Sequence, residues 1–111
     1  MKNKSIHSDA KALFGDFCPE FITYTDDILF EEIWRGEVLS LRERSLITIG
    51  ALVAGGHVEQ LSYHFKLAIE NKISEAELVA VLMHLAFYVG WPRAVDALQL
   101  AQKMFSDEPK Y

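Results

Sequence analysis

Two stretches of this chain, 41–54 and 75–89, are apolar around nearly the whole circumference of the helix each would form, and this narrows the fold more than any other feature. Both open on a Ser-x-x-Glu, Ser40-Leu41-Arg42-Glu43 and Ser74-Glu75-Ala76-Glu77. In such a capping box the hydroxyl and the carboxylate each take a backbone amide that the first helical turn leaves unbonded. Both stretches close on glycine, Gly55-Gly56 and Gly90, which accepts the positive φ of a helix stop without a Cβ clash. In the first, Leu46, Ile47, Ile49, Ala51, Leu52 and Val53 leave only Ser45 and Thr48 as polar interruptions, so this helix is expected at the centre of the fold. In the second, Leu78, Val79, Val81, Leu82, Leu85, Ala86 and Val89 present more apolar surface than one small bundle covers on both sides. Part of it is therefore expected to lie against another subunit.

Between and after these come two more helices. One is expected over 57–70, with Asn71 taking the left-handed conformation that ends it, and one over 92–105, because Pro92 lacks only an amide that a first helical turn leaves unpaired. Ahead of Ser40 the pattern predicts a helix over 8–14, another over 19–28, and a helical extension or irregular arm over 28–34. No Val/Ile/Thr alternation of the kind that makes a strand is present, so the fold class is all-α.

The chain has 111 residues, a size that supports one core, and half of them are hydrophobic. The longest apolar run, Leu46 to Ala54, is about half of the ~18 residues that cross a bilayer, so no membrane association is expected. Residues 1–10 carry two lysines and Asp9 without the apolar core of a secretory signal, which makes the cytoplasm the expected compartment. Sixteen acidic against eleven basic residues give a charge of -5, with no basic cluster to meet phosphates, so nucleic acid is not an expected partner. Cys18 is the single cysteine. It allows no intramolecular disulfide and no Cys-x-x-Cys motif, and beside Pro19 it reads as a small buried hydrophobe.

Histidines carry the candidate chemistry. His57 and His64 are seven apart, two helical turns, and share a face; His57 lies in a first turn, where the helix dipole favours a neutral ring. His64 stands among Leu61, Phe65 and Leu67. His84, Tyr88 and Trp91, spaced by four and three, form a polar-aromatic stripe on an otherwise apolar helix. Each also has a plain structural reading: His64 and His84 as core histidines bonded to a carbonyl, His57 as a helix cap, Tyr88 and Trp91 as packing groups. His7 is given no role. A spacing of seven does not make the two-His zinc grip, whose ligands are four apart, so no metal is expected. There is no Gly-x-Ser-x-Gly turn and no phosphate-binding glycine loop after a strand.

The segments Leu39-Ser40-Leu41-Arg42-Glu43-Arg44-Ser45-Leu46-Ile47-Thr48, Gln60-Leu61-Ser62-Tyr63-His64, Ile73-Ser74-Glu75-Ala76-Glu77-Leu78 and His84-Leu85-Ala86-Phe87-Tyr88-Val89-Gly90-Trp91-Pro92 resemble, in this order, the carboxymuconolactone decarboxylase family. Asp26-Asp27-Ile28-Leu29-Phe30 and Trp34 resemble the segment ahead of that family's first core helix. The resemblance divides the chain into an N-terminal helical arm, 1–24, a family-like domain, 25–105, and a tail, 106–111. It implies a single-domain helical bundle of the alkylhydroperoxidase D-like type and a homo-oligomer built from dimers, commonly a ring-shaped hexamer. In the thiol peroxidase branch a Cys-x-x-Cys pair precedes a histidine. Here His57 and Gln60 stand at the cysteine positions while His64 keeps the histidine, so thiol peroxidase chemistry is not implied. For the decarboxylase branch the resemblance carries over His64, His84, Tyr88 and Gly90, with Arg42 and Arg44 ahead of them. Decarboxylases of aromatic catabolism often show Gln at the place of His84 and Cys-Gly-Val-Pro where this chain reads Val89-Gly90-Trp91-Pro92, so Trp91 is expected to reshape the pocket.

The implied activity is that of a carboxy-lyase on a small carboxylate or lactone. Loss of CO₂ from a carboxylactone needs no cofactor, because the electron pair flows through the ring double bond to the lactone carbonyl. The protein then supplies a cation for a second carboxylate, a donor at the enolate oxygen and an acid that returns a proton to carbon. On this reading His64, His84 and Tyr88 are the catalytic candidates, and Arg42, Arg44, His57 and Trp91 bind substrate. Arg42 and Arg44 read equally as exposed first-turn charges. The alternatives are a noncatalytic or small-ligand-binding oligomer of the same fold, and a lactone isomerase or hydrolase.

Overall fold

The computed structural model describes residues 9–107, and His7 and the last residues of the expected tail lie outside them. Its elements are α1 (Ala10–Phe14), α2 (Pro19–Thr23), a π-helical run (Tyr24–Ile33), α3 (Leu41–Gly55), α4 (Val58–Glu70), α5 (Glu75–Val89) and α6 (Trp91–Asp107). No strand occurs among the described residues, as the absence of alternation predicts. The chain forms two units, one ending at Leu41 and the other beginning at Arg42.

In the first unit the helix expected over 19–28 keeps α-helical bonding only to Thr23. From Tyr24 the hydrogen bonds widen to i→i+5, ending with the Trp34 amide on the Leu29 carbonyl at 2.9 Å. The widening coincides with Thr25, whose hydroxyl donates to the Phe21 carbonyl at 2.9 Å and so brings a side-chain donor into the backbone ladder. Cys18, expected as a buried hydrophobe, is only half-buried, because it stands in the non-helical position that opens α2.

The second unit is an up-down-up-down arrangement whose register follows from a few close approaches. Arg42 pairs with Glu77, and a Cβ on Gly50 would touch Leu85 Cδ2 at 3.9 Å; both pairs are 35 residues apart, so α3 and α5 run parallel. Asn71, at the end of α4, donates to the Ser45 hydroxyl near the start of α3 at 2.9 Å, so α4 runs antiparallel to α3. α6 begins where Arg93 lies against Gly56, beside the start of α4, and descends with α4 while packing on α4 and α5. The core between them holds Ile49, Val53, Leu61, Phe65, Ala68, Ile73, Leu78, Leu82, Ala97 and Ala101. The small residues Ala94, Ala97 and Ala101 share one face of α6 and let its backbone approach its neighbours.

Local chemistry accounts for the element ends. At α5 the capping box is complete: the Glu77 amide donates to Ser74 Oγ at 3.1 Å and the Ser74 amide to Glu77 Oε1 at 3.0 Å. α3 ends in a Schellman motif, with the His57 amide on the Leu52 carbonyl, the Gly56 amide on the Val53 carbonyl, and Gly56 at φ 73°. α4 ends the same way through Ile73 to Ala68 and Lys72 to Ile69. Here the expectation for Asn71 is corrected: the left-handed residue is Lys72, at φ 78°, while Asn71 has φ -88°. Lys72 at that position lets buried Ile73 close the motif, and it leaves the Asn71 side chain aimed at Ser45.

α3 is not enclosed as its sequence suggests. It buries one stripe, Ser45, Ile49 and Val53, and leaves Ile47 59% exposed. On α5 the buried stripe is Leu78, Leu82 and Ala86, while Met83 and Phe87 stand in solvent.

Candidate functional site

The register brings the C-terminal ends of α3 and α5 together with the N-terminal ends of α4 and α6. At this corner lie Gly55-Gly56-His57 and Gly90-Trp91-Pro92-Arg93. His57 occupies the position that opens α4, but its side chain makes no capping hydrogen bond. Its ring instead covers Gly55, where a Cβ would stand 2.5 Å from Cδ2 and 2.6 Å from Nε2. The Arg93 guanidinium lies against Gly56, with Nη1 only 2.1 Å from where a Cβ would be.

His64 projects from the middle of α4 between buried Leu61 and Phe65, and its ring meets that of Tyr63 edge-on at 5.0 Å. Half-burial pushes its pKa below 6.5, because an imidazolium there loses water contacts. The ring is therefore neutral at pH 7, with one N–H donor and one acceptor nitrogen. Gln60 and His64, four residues apart, share one face of α4, whereas His57 precedes the helix at φ -88° and ψ 70° and its ring turns back over Gly55, so the expected shared face of His57 and His64 is not formed by helical geometry.

His84 and Tyr88 do meet, with ring centroids 5.0 Å apart. Both are exposed, Tyr88 at 77%, so the pair faces outward from the protomer. Trp91 does not extend this pair into the expected single stripe. It opens α6 and packs edge-on with Phe87 of α5 at 5.4 Å, so Met83 and Phe87 of α5 with Trp91 of α6 form an exposed apolar patch beside the pair His84 and Tyr88.

The arginines sit at the far end of α3. Arg42 is engaged by the Glu77 carboxylate, and the Ser74 amide first and then Arg42 hold that carboxyl below its ordinary range. Arg44 is half-buried and already engaged within the fold. A cleft of about 430 Å³ between α5 and α6, running from Glu75 and Val79 to Gln102 and Phe105, is lined by none of the expected site residues. Among the described residues no three His, Cys, Asp or Glu side chains converge to hold a metal ion, and no helix is long and apolar enough to cross a membrane.

The model of the carboxymuconolactone decarboxylase family matches residues 19–103. The chain belongs to that family. It is 29% identical over 93 residues to the 4-carboxymuconolactone decarboxylase of Acinetobacter baylyi, covering 84% of this chain and 69% of that one. It is 31% identical over 75 residues to the nitrosuccinic acid decarboxylase of Metarhizium robertsii, covering 68% of this chain and 52%, about half, of that one. Those relatives are named for different acids, so membership in the carboxymuconolactone decarboxylase family does not fix a substrate.

Arg93, which the motifs do not single out, lies at the same corner in this family member. The sequence carries one local sign of it: a cation in the first turn of a helix whose first turn holds no acid, an arrangement the helix dipole disfavours.

Proposed function

We propose that this protein removes CO₂ from a small carboxylated lactone or related acid without a cofactor, and that His64 acts at the reacting atoms. The observation that carries this reading is the half-buried imidazole of His64, its pKa lowered by burial, on the core helix α4 of a carboxymuconolactone decarboxylase family member.

The C–CO₂⁻ bond breaks, its electron pair moves through the ring double bond to the lactone carbonyl, and charge collects on the enolate oxygen. A neutral His64 donates its N–H to that oxygen as the charge develops, without bringing a full positive charge into an apolar wall. Carbon then takes a proton from a second group, for which His84 beside Tyr88 is the candidate. A partly apolar setting favours the step, because expelling neutral CO₂ spreads a localised charge over the larger enolate.

His84 and Tyr88 reach such a site only if another subunit covers their face. The exposed Met83, Phe87 and Trp91 support a homo-oligomer built from dimers, and the family resemblance extends it to a hexamer. Arg42, tied to Glu77, serves the fold more than the substrate in this scheme.

The test is a turnover screen of carboxylated lactones and related β-keto and vinylogous acids, followed by CO₂ release, on the wild type and His64→Gln. CO₂ release that falls ~10²-fold or more in the variant supports the reading. No release from any member, or release that ignores the substitution, overturns it.

A further inference from the structure

We propose that Arg93, held against Gly56 in the turn whose other glycine, Gly55, the His57 ring covers, is the residue that binds the carboxylate the substrate retains. The inference rests on the decarboxylase reading above for what happens to the other carboxylate.

Local rules are broken at this corner in ways the fold alone does not require. A helix stop needs one positive φ, and Gly56 supplies it at 73°. Gly55 is the last residue of α3 and is not among the positive-φ glycines, so the backbone does not call for glycine there. Glycine in a helix costs more chain entropy than alanine, and what its missing Cβ provides is room for the His57 ring. The second broken rule is Arg93 itself, a cation in the first turn of α6, where an anion is favoured and no acid stands.

Arg93 is exposed and pairs with none of the described carboxylates, although Glu59 lies in the first turn of α4 and Asp96 one turn along α6. In a chain with sixteen acidic residues, a guanidinium packed against a turn and left unpaired is poised for an anion from outside. A guanidinium presents parallel N–H donors that match a carboxylate, and the neighbouring imidazole adds a further donor. Rule-breaking residues that converge in space mark function more often than poor design. Arg93 stands beside the start of α4 and His64 about two turns along it, so an acid anchored at Arg93 has the first turns of α4 along which to extend.

The test is calorimetric titration of the full protein with succinate, the simplest dicarboxylate, with thermal midpoints on the same samples. Succinate is expected to bind the wild type, about tenfold or more weakly to Arg93→Gln, and with intermediate affinity to Arg93→Lys, which keeps the charge and loses the fork. Gly55→Ala is expected to raise the midpoint while weakening binding, because its Cβ displaces the His57 ring. Lys103→Gln, which removes an exposed cation elsewhere on α6, is expected to bind as the wild type does. Failure of the wild type to bind succinate, or equal affinity in Arg93→Gln with only a lowered midpoint, overturns the proposal and makes Arg93 a tie to the end of α3. CO₂ release reads the decarboxylase step separately. Turnover lost in His64→Gln alongside unchanged succinate affinity in Arg93→Gln removes this inference alone, and Arg93-dependent succinate binding without CO₂ release from any acid removes the other alone.

Discussion

Asn71 donates from Nδ2 to the hydroxyl of Ser45 at 2.9 Å, joining the end of α4 to the first turns of α3. Ser45 is only 1% exposed, so its hydroxyl depends on a protein partner for the hydrogen bonding that water supplies elsewhere. Asn71→Ala removes that partner and is expected to lower unfolding free energy by about 1–3 kcal/mol in urea denaturation. The double variant Ser45→Ala, Asn71→Ala is expected to lose less than the two single changes together, because it leaves no orphaned hydroxyl. Strict additivity would show that the bond contributes nothing.

Lys72 is the described non-glycine residue with positive φ, at 78°. A left-handed backbone costs an ordinary side chain about 1–2 kcal/mol, of which glycine's greater chain entropy offsets about half. Lys72→Gly is therefore expected to raise stability by about 0.5–1 kcal/mol, read as a higher urea midpoint at unchanged slope. The opposite sign is expected at Asn71, where glycine meets no backbone need and the bond to Ser45 is lost.

These neighbours show what sequence can and cannot carry. That a helix ends near residue 71 was legible, since turn formers cluster between two apolar runs. Which residue turns left-handed was not, because burial of Ile73 in the core decides it, and that is a tertiary event. The capping box at Ser74 and Glu77 was legible because it is local, whereas the bond between Arg42 and Glu77 spans 35 residues and leaves no local trace. At the candidate site, the four-residue spacing foretold the meeting of His84 and Tyr88, but periodicity does not say which apolar face stays uncovered in a protomer. The contact of Arg93 with Gly56, far away in the chain, leaves no local trace either.

Gly90 has φ 100° and ψ 150°, a region that only glycine occupies without strain. A Cβ there would find space, with Pro92 Cδ at 3.9 Å, so strain rather than collision decides the outcome. Gly90→Ala is expected to cost about 1–3 kcal/mol. The turn into α6 carries Trp91 and Arg93, so succinate affinity is expected to fall together with the thermal midpoint.

The uncovered α5 face can be tested by charge. Phe87 is 77% exposed in the protomer, so Phe87→Glu should leave the fold of one subunit intact. If another subunit covers this face, the substitution buries a carboxylate at an apolar contact and is expected to shift sedimentation from an oligomer toward the single chain. Wild type that sediments as a single chain at micromolar concentration would sink the interface.

His64 gives the pH dependence its sign. Burial lowers its folded pKa below 6.5, so on acidification the unfolded chain takes up a proton before the folded one does. The stability this contributes is present above pH 6.5 and is lost as pH falls from there through the lowered folded value. His64→Gln has no proton to take up, so the wild-type minus variant difference in unfolding free energy is expected to be flat above pH 7 and to fall below 6.5. Catalysis should follow the same ring. If neutral His64 donates to the enolate, turnover holds at pH 7 and declines only once acid protonates the folded imidazole, at a lower pH than the one at which stability begins to fall. A rate that instead rises as pH falls through that window would make imidazolium the active form, with His64 delivering the proton to carbon.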